Sequence, residues 1–121
     1  MKKFVSIAVA LAFVFGVTLV LAATAPEKVT LKANPKKVVE FPHKIHSDQF
    51  KCEVCHHKWD KKGELKACLD CHKKTDGDAP KYYKAFHDLK VDNSCVGCHT
   101  KMGKDGKKAG PTKCAGCHPK K

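Results

Sequence analysis

The amino-acid sequence predicts a small, mostly α-helical and coil domain with a short two-stranded N-terminal hairpin, packed around bound groups instead of an apolar core. Three observations predict this fold class. Roughly 100 polar, lysine-rich residues follow the first 23, large apolar side chains are sparse among them, and the chain contains eight cysteines. Because so small a core rarely supports a fold without disulfides, metals or cofactors, the cysteines are the expected anchors.

The start of the chain has the layout of a secretory signal peptide. A short basic beginning, Met-Lys-Lys, precedes an almost wholly apolar run over residues 4–23, which contains a Val-Leu-Ala cleavage site. We therefore expect a signal peptide over residues 1–23 and one exported domain over residues 24–121, with no membrane insertion after cleavage. An apolar run of this length can also span a bilayer, so an uncleaved membrane anchor is the alternative.

Several short elements are expected after this leader. Residues 29–33 and 37–41, separated by Asn-Pro, predict the hairpin. Helices are predicted over residues 63–71 and 80–89, the second capped by Asp78 and with Tyr83 and His87 on one face. The glycine- and lysine-rich stretch 101–110 predicts a mobile loop.

The charge of the chain indicates its kind of partner. All 24 basic side chains are lysine, against 12 acidic residues. Without Lys2 and Lys3 the net charge is about +10, which favours a partner with an acidic docking surface. Nucleic acid is not expected as a partner, because the arginine fork much used in its recognition is missing and because the chain is exported.

The eight cysteines form four Cys-x-x-Cys pairs. Four disulfides or a pair of zinc ribbons are the alternatives for such a chain, but neither explains the histidine that directly follows every pair. Cys-x-x-Cys-His is the attachment motif of c-type haem, in which the histidine ligates the iron. The predicted cofactors are four covalently bound c-type haems (heme c, iron), held by Cys52, Cys55, Cys68, Cys71, Cys95, Cys98, Cys114 and Cys117, with the motif ligands His56, His72, His99 and His118.

The remaining histidines complete the ligand count. Four irons with two axial ligands each need eight imidazoles, and the chain has eight histidines. Because His57 is turned away from the iron that His56 ligates, we expect it to ligate a different haem, a solvated surface imidazole being the alternative. If the segment that holds His43 and His46 is a helical turn, both face the same side. The predicted distal ligands are His43, His46, His57 and His87.

Three segments carry a family resemblance. FPHKIH (41–46), CEVCHH (52–57) and YYKAFHD (82–88), with the three further haem motifs, resemble the tetrahaem cytochromes c3, the class III cytochromes c of sulfate-reducing bacteria. Some members have four residues between the cysteines of the second or fourth motif, whereas all four motifs here have two. The resemblance implies the ligand pairs His43–His56, His57–His72, His46–His99 and His87–His118.

The resemblance also implies a function. The implied protein is a low-potential electron carrier of the periplasm, a monomer and not an enzyme. It passes electrons from hydrogenase to membrane-associated redox proteins in sulfate respiration. Two histidines on each iron leave no open position, which favours outer-sphere electron transfer and leaves Met102 without a ligand role. A terminal reductase of metal ions or sulfur species at an exposed haem edge is the alternative. The lysines near the last motif are expected to steer an acidic partner: Lys101, Lys104, Lys107, Lys108, Lys113, Lys120 and Lys121.

Overall fold

The fold consists of short helices and coil with one small sheet, as the sequence predicts. A computed structural model describes residues 25–120, so the predicted signal peptide lies outside the described residues. In chain order, the elements are β1 (Val29–Leu31), β2 (Val39–Phe41), α1 (His43–Gln49), α2 (Cys52–Cys55), α3 (Cys68–Cys71), α4 (Tyr82–His87), α5 (Cys95–Lys104) and α6 (Cys114–Cys117).

The predicted hairpin is confirmed, with strands shorter than expected. β1 and β2 pair antiparallel in the register Val29↔Phe41, Thr30↔Glu40 and Leu31↔Val39. Thr30 Oγ1 donates to the two carboxylate oxygens of Glu40 at 3.0 and 3.1 Å, a cross-strand bond on the exposed face. The apolar residues of both strands alternate onto the other, less exposed face of the hairpin. β2 is followed almost directly by α1.

Each Cys-x-x-Cys pair begins a helix at its first cysteine. α2, α3 and α6 are single turns, whereas α5 continues for ten residues. In the three short turns, the backbone N–H of the following histidine donates to the carbonyl of the first cysteine, at 2.8, 2.9 and 2.8 Å. Because residues three apart share a helical face, each turn presents both thiols of a motif to the same side.

The helix predicted over residues 63–71 is wrong in its first half, since only Cys68–Cys71 is helical. The reason is a competing turn before it. The Asp60 carboxylate accepts the backbone N–H groups of Lys62 and Gly63, at 2.9 and 3.1 Å, and the Trp59 indole donates to the Gly63 carbonyl at 2.8 Å. These local bonds satisfy backbone groups in a non-helical form.

The second predicted helix is present but shorter, and its predicted cap is wrong. α4 spans Tyr82–His87, and Lys81, not Asp78, occupies its N-cap position. The Asp76 carboxylate accepts the Lys81 N–H at 3.0 Å, so it satisfies a backbone donor just before the helix.

The loop predicted over residues 101–110 is half wrong. Its first four residues form the last part of α5, which ends where Gly106 adopts a positive φ of 70°. The Lys107 N–H then donates to the Met102 carbonyl at 2.9 Å, which closes the helix end with a glycine in the left-handed region. Residues 107–110 form no regular element.

The polypeptide of residues 25–120 encloses no apolar core. No hydrophobic residue in this range is buried, and Ser94, at 1 % exposure, is its buried polar residue. Large apolar side chains instead lie at the surface, among them Ile45, Tyr83 and Leu89 at 57, 64 and 65 % exposure. Over the same range, no helix has the length and hydropathy needed to cross a membrane.

Candidate functional site

The eight histidines of the chain meet in four pairs. Each pair joins one histidine that follows a Cys-x-x-Cys turn to one histidine outside that motif position. The ring centroids lie 6.5 Å apart in His43–His56, 6.0 Å in His57–His72, 6.1 Å in His46–His99 and 6.2 Å in His87–His118. These are the pairs that the family resemblance implies; that they ligate iron stays a prediction.

The spacing within these pairs suits an iron ion shared by two imidazoles. With a metal–nitrogen bond of about 2.0 Å and about 1.1 Å from ring nitrogen to centroid, two coaxial ligands place their centroids roughly 6 Å apart. Residues 25–120 contain no group of three or more His, Cys, Asp or Glu side chains arranged to hold a metal ion. The geometry therefore favours two-ligand axial sites.

Backbone carbonyls orient most of the imidazole rings. In six histidines, Nδ1 lies within hydrogen-bond distance of a carbonyl oxygen, which can only accept, so Nδ1 carries the proton and Nε2 keeps its lone pair for a metal. The acceptors are Pro26 for His43 (2.9 Å), Pro42 for His46 (3.0 Å), Lys66 for His56 (3.0 Å), Pro80 for His72 (2.7 Å), Tyr83 for His87 (2.7 Å) and Pro111 for His99 (2.8 Å).

Helix α1 holds two of the histidines predicted as distal ligands. His43 and His46 lie three residues apart, so the helical turn predicted for this segment is confirmed. The Phe41 ring, at the end of β2, packs 4.4 Å from the His46 ring. The hairpin thus places α1 so that its two imidazoles meet partners in two different motifs.

Helix α4 holds the last of the histidines predicted as distal ligands. His87 and Tyr83 lie one turn apart, as predicted, and their rings stack at 4.5 Å with an interplanar angle of 22°. Together with the bond to the Tyr83 carbonyl, this stacking fixes the His87 ring against its own helix. Phe86, on the same helix, lies edge-on to the His72 ring at 6.4 Å.

No two of the eight cysteines are joined in a disulfide. Burial raises the pKa of Cys95 to about 11, and the thiol of Cys117 adds to the effect. Burial also raises the pKa of Cys55 and Cys68. Burial thus favours the neutral form of these three thiols before haem attachment, and the two cysteines of each motif sit on one helical face, as attachment of one haem by two thioether bonds requires.

Sequence reasoning missed a set of residues that hold these sites together. The carbonyls that accept from the imidazoles are invisible in the sequence, because any residue can supply one. Ser94 and the glycines Gly97, Gly110 and Gly116 also make close contacts with other segments. A hint was present for two of them, since glycine occupies the same position in the third and fourth motifs.

Four paired-imidazole sites, each beside a Cys-x-x-Cys turn, define a multihaem c-type cytochrome. The chain belongs to the class III cytochrome c family, whose model matches residues 19–118. It is accordingly a multihaem electron carrier of the cytochrome c3 type, with covalently bound c-type haem.

Individual relatives agree with this membership. The chain is 48% identical over 109 residues to cytochrome c3 of Maridesulfovibrio salexigens, with 85% of this chain and 93% of the relative covered. It is 45% identical over 107 residues to cytochrome c3 of Desulfovibrio desulfuricans, with 84% and 93% covered. The crystal structure of the di-tetraheme cytochrome c3 from Desulfovibrio gigas superposes with a TM-score of 0.67 at 34% identity, over 79% of this chain and 98% of that one.

Proposed function

We propose that this protein is a periplasmic, low-potential electron carrier with four bis-histidine c-type haems, which takes electrons from hydrogenase and delivers them to membrane-associated redox proteins. The observation that carries the proposal is the set of four imidazole pairs with centroid separations of 6.0 to 6.5 Å. No histidine is left over, and each pair lies beside its own pair of thiols. The first to fourth sites are those of the first to fourth Cys-x-x-Cys motifs in chain order.

The ligand assignment follows the observed pairs. In each site the cysteines of one motif attach the haem, the motif histidine is the proximal ligand and the paired histidine is the distal ligand. The four sites comprise Cys52, Cys55, His56 and His43 in the first; Cys68, Cys71, His72 and His57 in the second; Cys95, Cys98, His99 and His46 in the third; and Cys114, Cys117, His118 and His87 in the fourth.

Haem supplies reversible one-electron chemistry, and the surrounding residues determine its reduction potential and the route by which electrons reach it. Two imidazoles on each iron leave no position for a substrate, so electrons must enter and leave through the haem edges. Hydrogen bonds from Nδ1 to carbonyls make the ligating nitrogens more basic, which favours the oxidised iron and a low potential. Because His56 and His57 are adjacent, they tie the first and second sites together and support transfer between them.

Exposed lysines near the fourth motif support the proposal of a partner with an acidic docking surface. Lys101 is not free for this purpose, because its ammonium group pairs with the Asp92 carboxylate, a bond that also raises the pKa of Lys101. The remaining lysines of this surface within the described residues are exposed: Lys104, Lys107, Lys108, Lys113 and Lys120. A cluster of one sign accelerates the encounter with a partner of opposite charge.

The cofactor content provides the test of this proposal. A pyridine haemochrome assay on periplasmic protein, combined with intact mass, should give four haems per chain on a polypeptide that lacks the leader. Fewer haems, or a colourless protein that contains zinc, would contradict the ligand assignment.

Electron paramagnetic resonance should distinguish the first site from the others. The His43 and His56 rings are nearly perpendicular, at 79°, whereas the other three pairs lie at 36° or less. Perpendicular imidazole planes leave two iron orbitals almost equal in energy, so we expect one low-spin signal with a distinctly larger maximum g value. Four signals of the same type would show that the first pair rotates on ligation.

Charge reversal tests the docking surface. With Lys104→Glu and Lys113→Glu combined, we expect the rate constant for reduction by hydrogenase to fall roughly tenfold at low ionic strength, and less at high salt. Lys36→Glu with Lys37→Glu, in the hairpin turn, is the matched control. Equal losses in both double variants would show that net charge alone steers the partner.

Reduction of metal ions at unchanged rates without any partner protein would favour the terminal-reductase alternative.

A further inference from the structure

The third and fourth haem motifs share a feature that the first two lack. The residue before the second cysteine is glycine in both, Gly97 and Gly116, whereas the first and second motifs have Val54 and Asp70 there. In each case another segment of the chain occupies the space that a side chain would need. In both cases that segment joins the two sites: it lies between His87 and Cys95 for Gly97, and between His99 and Cys114 for Gly116.

Gly97, in the third motif, packs against the segment that follows the fourth site's distal ligand. A Cβ at Gly97 would overlap the Val91 carbonyl oxygen and lie 2.8 Å from the Asp88 carbonyl oxygen. The buried Ser94 hydroxyl locks this contact, since it donates to the Asp88 carbonyl at 2.5 Å and accepts the Gly97 N–H at 2.8 Å. Asp88 directly follows His87, so the turn of the third motif holds the end of α4.

Gly116, in the fourth motif, packs against the segment that orients the third site's proximal ligand. A Cβ there would overlap the Pro111 Cβ and lie 3.3 Å from its Cγ. The Pro111 carbonyl accepts the His99 Nδ1–H at 2.8 Å. Gly110, which precedes Pro111, lies close against the His99 ring. A Cβ on Gly110 would stand only 2.7 Å from His99 Nε2.

We propose that Gly97 and Gly116 form a reciprocal clasp, in which each of these two motifs positions an axial imidazole of the other site. Gly97 positions His87 through Ser94 and Asp88, and Gly116 positions His99 through Pro111. The clasp rests on the proposed bis-histidine ligation. Its consequence is that the third and fourth sites respond together to a change in either motif, and more strongly than the first and second sites.

The test compares alanine variants of the loaded protein by NMR. In the oxidised protein, haem methyl shifts depend on the orientation of the axial imidazoles, and they can be assigned haem by haem. In Gly116→Ala, which lies in the fourth motif, we expect the third-site methyl signals to move while those of the first and second sites stay in place. In Gly97→Ala, the fourth-site signals should move, while those of the first site stay in place.

Two control variants separate the clasp from general disturbance. Gly103→Ala lies in the same helix as His99 with nothing within 4 Å of the added atom, and Val54→Ala occupies the corresponding motif position in the first site. Neither should move the signals of a site other than its own. If the third-site signals move no further in Gly116→Ala than in Gly103→Ala, the clasp does not exist.

A double-mutant cycle measures the Gly116 contact directly, and a substitution at Ser94 keeps the proposal testable if a glycine-to-alanine variant fails to assemble. Pro111→Gly removes the ring that Gly116 faces, so Gly116→Ala should shift the third site less in the Pro111→Gly background than in the natural chain. Ser94→Ala should move the fourth-site signals without adding any atom. Equal shifts in both backgrounds, or no effect of Ser94→Ala on the fourth site, would overturn the clasp. Failure of the proposed function itself would show in the unsubstituted protein, as fewer than four low-spin haems.

Discussion

Without haem attachment, the chain should not fold. Residues 25–120 bury no hydrophobic side chain. The two imidazoles of each pair are held together only when both bind an iron ion. A polypeptide of this size needs about 5 kcal/mol or more of net stabilisation to be a stable domain, and residues 25–120 contain no apolar core to supply it. We therefore expect a free energy of unfolding near or below zero for the haem-free chain.

Circular dichroism and NMR of protein made without the haem attachment machinery, kept reduced, would measure this. The haem-loaded protein of identical sequence is the control, and it should unfold cooperatively. A second control removes one attachment only, by Cys52→Ala with Cys55→Ala, and should retain most of the fold. A cooperative thermal transition in the haem-free chain would show that the polypeptide specifies the structure alone.

Replacing His57 by alanine should open one iron and leave the other three six-coordinate. The His57 ring is exposed and pairs with the His72 ring at 6.0 Å, so its loss removes a ligand without unpacking a core. We expect a high-spin signal from one haem, carbon monoxide binding close to one equivalent per chain, and a raised potential at the second site because one basic ligand is gone.

Lys58→Ala is the control for this substitution, since it changes the next, exposed residue and no imidazole. Optical titration with carbon monoxide gives the number of open sites in both variants. If His57→Ala binds no carbon monoxide and stays wholly low-spin, His57 is not an axial ligand, and the eight-histidine assignment loses its most specific member.

The sequence predicts the local parts of this fold well because local residues decide them. The hairpin depends on neighbouring residues, and it appears where the sequence predicts it. The helix over residues 63–71 was overextended because the pattern did not reveal the turn that the Asp60 carboxylate makes with two backbone groups. Such competition depends on side-chain geometry, which residue type alone does not determine.

The candidate site likewise has a part that local sequence predicts and a part that depends on contacts between distant segments. Motif spacing identifies the thiols and the adjacent histidines, and counting identifies the other imidazoles. Which imidazole meets which depends on contacts between distant segments, such as His46 with His99, and only the family resemblance suggested those pairs. The roles of Ser94 and Gly116 were not predictable, because a small residue becomes meaningful only when the segment packed against it is known.

The position of α1 has a consequence for the assembly of the protein. His43 and His46 stand on one turn of this helix, and the helix precedes every haem motif in the chain. In a polypeptide delivered to its compartment from the N-terminus, closure of the first site through His43 would immobilise α1 early. His46 would then already face the place where the third motif arrives, so the first haem to be attached would serve as a template for a later one.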